Sequence, residues 1–325
     1  MAAACVLVAR GPTTAGVRRG QTPGNAIEFL NRDTSGLCDT AAMHGNRPRV
    51  AVVGHVEWVR FARVSQMPRA GEIVHARDPF EEPAGGGAVA AVQLARLAGA
   101  CVLVSALGDD EHGRRSVKRL RELGVDVRAA GRAEPTRTAT TLVDDAGERT
   151  IVTFGPRLEP LGSDAELSWS ELAEMDAVYF TAGDVDALRG ARAARVLVAS
   201  PRATDALGNG VALDALVLSA NDAIERGEAT TAGDEAELVV STEGAHGGAY
   251  RERGGGLGSW PAAPPPGEAV DSYGCGDSFA AGLTYGLGAG LSVPDSLALA
   301  ARCGASCLTG SGPYERQLGT QDLRG

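Results

Sequence analysis

DSYGCGDSFAAG, residues 271–282, is a glycine-rich turn that runs directly into an apolar helical stretch. The first backbone N–H groups of a helix have no partner inside the helix, and the helix dipole makes this end positive. Gly274 and Gly276 leave room for an anion to approach those amides, so the stretch predicts a phosphate-binding turn. Because Lys118 is the only lysine of the chain and lies in the polar stretch 114–122, this turn must work without a lysine.

Asp277 comes directly after Gly276, beside the predicted anion hole. A purely structural carboxylate at this place would repel a bound phosphate, whereas a base that takes a proton from an attacking hydroxyl belongs there. We therefore predict that Asp277 is the general base of a phosphoryl transfer. The alternative is an aspartate that only caps the helix.

From residue 48 onward, short β-rich runs alternate with helical patterns. The expected buried strands are residues 101–106, 177–181, 196–199, 215–218 and 238–241. This alternation predicts an α/β fold, a three-layer sandwich with a mostly parallel central sheet. After the glycine turn, two helices are expected over residues 275–290 and 293–308.

Two segments break this alternation and read as exposed strands. They cover residues 57–64 and 138–154, and the second folds into a hairpin at residues 144–147. We expect them to form a small β lid with strands near 55–79 and 138–154. Lid strands that expose an apolar face commonly find a partner, so a homodimer through the lid is also predicted.

The composition excludes several classes of partner. With 31 basic and 41 acidic residues, the formal net charge is -10, which argues against general binding to nucleic acid or to an anionic membrane. No uncharged apolar run approaches the length that spans a bilayer. The six cysteines include no Cys-x-x-Cys pair, which favours a reducing, cytoplasmic location. A small-molecule partner is therefore expected.

Residues 1–47 show no sustained hydrophobic period and end just before the strand-like run at 49–53. We interpret this segment as a disordered leader outside the core, and residues 48–325 as one domain. An organellar transit peptide and a start site at Met43 are the alternatives, since arginines outnumber acidic residues but serine is scarce.

Residues 271–279 resemble the C-terminal signature D-T-x-G-A-G-D-x-F of the ribokinase-like (PfkB) carbohydrate kinases, with Ser272 and Cys275 as small replacements. This resemblance implies a ribokinase-like fold with ATP as the phosphoryl donor. It also implies that Asp277 is the base, and that the backbone of Gly274, Cys275 and Gly276 holds the transferred phosphate. Asp271 matches a residue that helps to bind a monovalent cation such as K⁺.

The resemblance extends over most of the chain after residue 48. Gly85, Gly86 and Gly87 lead into a helix and resemble the N-terminal signature, which implies substrate binding. A dinucleotide fingerprint is the alternative, but about thirty residues separate these glycines from the first strand. For the nucleotide, the resemblance implies Asn221, Thr242, Gly244 and Gly247, with Glu225 contacting Mg²⁺ through water.

The sequence departs from the family at the acceptor site. Where relatives use asparagine and aspartate to hold sugar hydroxyls, this chain has Ala90, Glu57 and Val59. Glu57 is expected to face the substrate, the alternative being that it points to solvent. The predicted reaction is ATP-dependent phosphorylation of a hydroxyl on a sugar or sugar-like molecule. A nucleoside or vitamin kinase, or a non-catalytic ligand-binding relative, are the rival interpretations.

Overall fold

The computed structural model describes residues 47–324, and the central feature of this part is a nine-stranded sheet. In chain order its strands are β1 (Val50–Val53), β4 (Cys101–Gly108), β5 (Val125–Arg132), β8 (Ala177–Phe180), β9 (Val196–Ala199), β10 (Leu213–Ser219), β11 (Ala236–Thr242), β12 (Gly248–Glu252) and β13 (Leu257–Trp260). Their spatial order is β13-β12-β11-β10-β9-β8-β1-β4-β5. All neighbouring pairs from β5 to β11 are parallel, and only β12 is antiparallel to its neighbours, β11 and β13.

Helices cover both faces of this sheet. They are α1 (Gly86–Ala98), α2 (Glu111–Glu122), α3 (Val185–Ala191), α4 (Ala223–Ala232), α5 (Cys275–Gly288) and α6 (Val293–Cys307). Alternate residues of the strands enter two separate cores: Val50 and Val52 pack with α1 and α5, whereas Ala51 and Val53 pack with α3. The predicted three-layer α/β fold is therefore confirmed.

A second sheet of four strands forms the lid. Its strands are β2 (Glu57–Arg63), β3 (Arg77–Ala84), β6 (Thr138–Val143) and β7 (Arg149–Phe154), in the order β3-β2-β6-β7. β3 continues past the expected end at residue 79, because Phe80 stacks on Phe61 at 4.8 Å and Ala84 still pairs with Glu57. Phe61 also meets the ring of Tyr273 edge-on at 4.9 Å, so one lid face contacts the glycine turn.

The three-glycine segment at residues 85–87 does not lie in a dinucleotide-binding unit. It follows the lid strand β3, which is antiparallel to β2, and not the first strand of the parallel sheet. The dinucleotide alternative is therefore wrong, because that fingerprint needs a strand-turn-helix unit within one parallel sheet.

The predicted leader, residues 1–47, lies almost wholly outside the described residues. Across residues 47–324, no helix combines the length and the hydropathy that a membrane crossing would need.

Candidate active site

The glycine turn adopts a geometry that only glycine tolerates readily. Gly274 caps α5 with a φ of 81°, and a Cβ atom there would lie 3.0 Å from Val89 Cγ1 and 3.1 Å from Pro313 Cβ. Gly276 faces open space. Among residues 47–324, no hydrogen bond uses the N–H of Gly276 or Asp277. These two amides are available to an anion at the positive end of α5.

Cys275 lies between the two turn glycines and is only partly buried. Its thiol is paired with that of Cys307, and this hydrogen bond together with burial raises the pKa of Cys275 well above its usual value. Cys275 therefore remains a neutral thiol and adds no negative charge to the turn.

Asp277 is the third residue of α5, so the cap position belongs to Gly274 and the interpretation of Asp277 as a capping residue is wrong. Its carboxylate accepts no hydrogen bond from the residues that the structure describes. Burial raises the pKa of Asp277 to about 6, against the opposing charges of Arg202 and Arg149 and with a smaller contribution from Glu225. A carboxyl group with this pKa is ionised at neutral pH and is a stronger base than an ordinary aspartate.

The predicted substrate glycines meet Asp277 directly. A Cβ atom on Gly86 would lie 3.1 Å from Asp277 Oδ1 and 3.2 Å from Thr181 Oγ1. Gly85 has a φ of 87°, and its N–H donates to the hydroxyl of Tyr273 at 3.3 Å. The start of α1 and the start of α5 therefore face each other across one small space, and any side chain at residue 86 would enter it.

Glu57 lies beside these glycines and is buried, with 7% of its surface exposed. Its Oε1 is 3.4 Å from Arg137 Nη1 and 3.6 Å from His55 Nε2. Burial raises the pKa of Glu57, and Arg137 and Arg157 oppose that shift. The alternative that Glu57 points to solvent is therefore wrong.

His55 follows β1 and was not anticipated from the sequence. Its ring lies over the glycine segment, with Cδ2 3.0 Å from a Cβ placed on Gly85. Burial, and then the charges of Arg157, Arg137 and Arg202, lower the pKa of His55 to about 3. The imidazole is therefore neutral at physiological pH.

Asp271 is buried and ties the glycine turn to a later segment. Its Oδ1 accepts the N–H of Tyr273 at 2.9 Å, and its Oδ2 accepts the N–H of Gly312 at 3.0 Å. Arg149 on β7 donates to the carbonyl oxygen and the hydroxyl of Ser272 at 2.9 and 2.7 Å. The glycine turn is therefore fixed by a contact with the later segment at Gly312 and by a contact with the lid strand β7.

The predicted nucleotide residues lie together at the carboxyl ends of β10 and β11. Thr242, the last residue of β11, pairs with Ser219, the last residue of β10. Asn221 comes two residues after Ser219 and is exposed, and Gly244 begins the short turn after β11. Gly247 closes that turn with a φ of 83°, and a Cβ there would lie 2.0 Å from the Trp260 carbonyl oxygen. Its conformation is required by the hairpin whether or not a nucleotide binds.

Glu225 has both carboxylate oxygens engaged. Oε2 accepts the N–H of Ser219 at 2.8 Å, and Oε1 is 2.7 Å from Nε of Arg202. Arg202 comes just after β9 and also pairs with Asp222 at 3.0 Å. The charge of Arg202 also acts on Asp277, so this guanidinium interacts both with Asp277 and with the residues after β10.

Four arginines in this region, Arg137, Arg149, Arg157 and Arg202, were not singled out from the sequence. They lie on lid strands or in loops, where no periodic pattern separates a functional arginine from a solvated one. One feature of the sequence could have indicated two of the missed residues. His55 and Arg202 each follow a buried parallel strand, and ligands bind at the carboxyl ends of such strands.

A parallel sheet under a β lid, with a partly buried carboxylate beside free amides at a helix N-terminus, defines a small-molecule kinase of the ribokinase fold. Residues 47–209 and 211–318 match the sequence profile described as "pfkB family carbohydrate kinase". The chain belongs to this family.

Individual relatives agree with this assignment. The chain is 32% identical over 250 residues to the ATP-dependent ribose-1-phosphate kinase of Halopiger xanaduensis, a match that covers 72% of this chain and 83% of that protein. It is also 32% identical over 108 residues to the ribokinase of Dictyostelium discoideum, and this match spans only 34% of that protein. The Arabidopsis thaliana ribokinase structure, complexed with ribose and ATP, superposes with a TM-score of 0.69 at 19% identity, covering 85% of this chain and 97% of the other.

Proposed function

We propose that this protein transfers the γ-phosphoryl group of ATP to a hydroxyl of a sugar or sugar-like molecule. The observation that carries the proposal is the meeting of Asp277 Oδ1 with the Gly86 backbone, where a Cβ would lie at 3.1 Å, next to the free amides of α5. A base, an anion site and an open glycine surface converge at this point. The relatives named for ribose and for ribose 1-phosphate support a sugar-like acceptor.

In this mechanism the acceptor hydroxyl lies between the glycine segment and Asp277. Asp277 accepts the hydroxyl proton while the hydroxyl oxygen forms a bond to the γ-phosphorus. The bond from that phosphorus to the β–γ bridging oxygen breaks, and ADP leaves with the electron pair. The N–H groups of Gly276 and Asp277 stabilise the charge on the transferred group, and Gly274 and Cys275 hold the turn in shape.

The nucleotide would occupy the neighbouring strand ends. Asn221 and Thr242 lie at the carboxyl ends of β10 and β11, and the exposed turn that begins at Gly244 and ends at the buried Gly247 would face the adenosine part. In this proposal the triphosphate extends from the turn after β11 toward the N-terminus of α5, and the charge of Arg202, which acts on Asp277, supports it.

A magnesium ion supplies charge neutralisation of the phosphates when it is bound with ATP. Glu225 fits a role through water, because its two oxygens are already bonded to Ser219 and Arg202 and each keeps a free lone pair. Each carboxylate oxygen of Asp271 likewise accepts one hydrogen bond from a backbone N–H group. It keeps acceptor capacity for a K⁺ ion, and its contact with such an ion stays a prediction.

We also propose that the protein forms a homodimer and that it is located in the cytoplasm. The exposed lid edge supports a homodimer through the lid. The four described cysteines, Cys101, Cys275, Cys303 and Cys307, are all free thiols, which supports a reducing, cytoplasmic location.

Replacing the base tests the proposal. We expect Asp277→Asn to lower kcat by about a thousandfold or more, since the change removes the proton acceptor but almost no volume. Turnover would be followed by ADP release across a panel of sugars, sugar phosphates, sugar acids and nucleosides.

Asp186→Asn is a matched control, because Asp186 lies on α3 with 65% of its side chain exposed and forms an ion pair with Arg189 at the surface. It should keep wild-type turnover. An Asp277→Asn protein that retains turnover within about tenfold of wild type would remove Asp277 from the mechanism.

A further inference from the structure

Two cysteine side chains meet at the glycine turn, where α5 begins and α6 ends. Cys275 is the first residue of α5 and Cys307 is the last residue of α6. Their thiols are hydrogen-bonded to each other. The backbones of the two helices also approach closely here, since a Cβ atom on Gly304 would lie 3.2 Å from the carbonyl oxygen of Cys275. Neither thiol takes part in the proposed phosphoryl transfer.

Both sulfur atoms contact the same short segment of the glycine turn. Cys275 Sγ lies 3.9 Å from the carbonyl oxygen of Asp271, and Cys307 Sγ lies 3.4 Å from the carbonyl oxygen of Tyr273. The two sulfur atoms of a disulfide are about 2 Å apart, so thiols that are already in contact need only a small movement to become bonded. The turn therefore holds a pair of thiols in a position from which a disulfide can form.

The other two cysteines that the structure describes are not hydrogen-bonded to a thiol. Cys101 donates to the carbonyl oxygen of Val102 at 3.5 Å. Cys303 is completely buried, and its Sγ would lie 2.8 Å from a Cβ atom on Gly282. Burial raises the pKa of both thiols, which makes them unreactive. Cys275, by contrast, is only partly buried, so a small oxidant can approach it from the surface of the turn.

We propose that Cys275 and Cys307 form a redox modification site, at which a peroxide converts the two thiols into a disulfide that reversibly inactivates the enzyme. The thiolate of Cys275 attacks the peroxide, so that an S–O bond forms, the O–O bond breaks and hydroxide leaves. The sulfur of Cys307 then attacks this sulfenic acid, so that the S–S bond forms and the S–O bond breaks. With hydrogen peroxide, two thiols give one disulfide and two waters, and two electrons pass from sulfur to oxygen.

The reaction is reversible and slow. A dithiol restores both cysteines by disulfide exchange and is itself oxidised to a disulfide. The raised pKa of Cys275 leaves it only a small thiolate fraction, so we expect slower oxidation than at an acidic redox cysteine. The site would therefore stay reduced in a reducing compartment and respond only to an excess of peroxide.

The disulfide acts on the anion site because Cys275 directly precedes the two free amides, those of Gly276 and Asp277. Bond formation draws the start of α5 toward α6. The turn has no room to compensate at Gly274, where a Cβ atom would already lie 3.1 Å from Pro313. The movement therefore passes to the amides and to the base, and a misplacement of about 1 Å lowers turnover by about a hundredfold. This loss of turnover rests on the proposed kinase function, whereas the disulfide itself does not.

Treatment of the purified chain with hydrogen peroxide tests the inference. We expect kcat to fall by about a hundredfold and to return after dithiothreitol, but not after arsenite, which reduces a sulfenic acid and leaves a disulfide. Peptide mass mapping should show the peptides of Cys275 and Cys307 joined, with two hydrogen atoms lost. Recovery with arsenite, joined peptides with unchanged kcat, or Cys275 joined to a cysteine of residues 1–46 would overturn the inference.

Cys307→Ser keeps a hydrogen-bond donor in the same place but cannot form the disulfide. Before treatment its kcat should lie within about threefold of wild type, and after treatment arsenite should restore any lost activity. Cys303→Ser is the matched control, because Cys303 lies one turn earlier on α6 and is also buried. It should be inactivated and restored like the wild type. A Cys307→Ser protein that only dithiothreitol restores would reject the pairing of Cys275 with Cys307.

The peptide map separates this inference from the kinase function, because it needs no substrate. A protein that forms the Cys275–Cys307 disulfide but phosphorylates no acceptor of the panel would uphold the modification site and reject the kinase function. An active kinase whose peptide map shows no such disulfide would do the reverse. Thermal unfolding shows whether each variant is folded, and the map of the wild type decides the inference even where a variant is not.

Discussion

The carboxyl group of Asp277 has a pKa of about 6, because burial disfavours its charged form more than Arg202 and Arg149 favour it. As the proposed base, Asp277 must be deprotonated to accept the hydroxyl proton, so we expect activity to require a pH above this value. We expect kcat/KM for the acceptor to rise about tenfold per pH unit below pH 6 and to level off above it. A pH profile measured at saturating ATP checks this prediction, and a flat profile between pH 5 and pH 7 would contradict it.

The same raised pKa has a consequence for stability that gives an independent check. In the unfolded chain Asp277 would titrate near its ordinary value of 3.8, so between that value and about 6 the folded protein holds the proton more tightly. Stability contributed by this group therefore falls as the pH rises through that window. Asp277→Asn should be more stable than wild type by about 1 to 3 kcal/mol at pH 8, with the difference vanishing near pH 4.

Glu57 is the residue at which a small change should separate acceptor binding from nucleotide binding. Its Oε1 lies near both Arg137 and His55, whereas Asn221 and Thr242 lie at the ends of β10 and β11 in the other sheet. Glu57→Gln should raise the KM for the acceptor by about 10- to 100-fold, because a charged hydrogen-bond acceptor becomes neutral in a buried place. The KM for ATP should change little.

Steady-state kinetics with each substrate varied in turn would show the difference. Glu81→Gln offers the control, since Glu81 pairs with Arg60 at the lid surface. An acceptor KM that is unchanged in Glu57→Gln would move the search for specificity to the turn at Gly85.

Among single residues, the sequence alone was enough to predict those site residues that belong to a local motif. Asp277 and the glycines at 274 and 276 form one continuous segment, and their chemistry follows from adjacency along the chain. His55 and Arg137 could not be found in this way, because it is the fold that brings them next to Glu57.

At the scale of the element, β7 is the strand least covered by the rest of the protein. All six of its residues are exposed, including Ile151, Val152 and Phe154 at 42%, 52% and 55%. Within residues 47–324 it pairs with β6 on one side only, so its outer edge presents unpaired N–H and C=O groups. An uncovered edge of this kind is a natural place for a second copy of the chain.

We therefore expect the protein to be a dimer in solution, and Phe154→Glu to shift it toward the monomer. A charge at this edge must be desolvated when two lids meet, which opposes association. Light scattering coupled to size exclusion measures the mass directly. Leu257→Glu is the control, because Leu257 is 79% exposed on β13, which belongs to the nine-stranded sheet and not to the lid. A wild-type protein that elutes only as a monomer would contradict the prediction.

The elements were easier to locate than to delimit. Strands such as β8 and β9 are short apolar runs and were found almost to the residue. The end of β3 was missed, because Glu81 and Glu82 do not look like strand residues in the sequence. They are held there by Arg60 and Arg119, at 2.8 Å in each case, which are contacts between elements that no local pattern reveals.

In the molecule as a whole, the parallel sheet brings the candidate site residues together at one edge. His55, Thr181, Arg202 and Asn221 follow β1, β8, β9 and β10, which are neighbours in the sheet. The change of direction in strand order lies at β1, with β4 on one side and β8 on the other, and ligands characteristically bind beside such a point. The alternation of strands and helices predicted the layers, but the order of the strands depends on packing between distant segments.

The contact between Gly86 and Asp277 joins the first described helix to the fifth. Further contacts repeat this pattern: Gln93 donates to the carbonyl oxygen of Leu318, and Tyr314 donates to that of Pro83. During synthesis on the ribosome, the lid and the first half of the sheet emerge long before α5 exists to cover α1. An apolar face of α1 therefore stays exposed on the nascent chain until α5 has been made. The active site is complete only after the last segment docks, so the chain is most prone to aggregation late in folding.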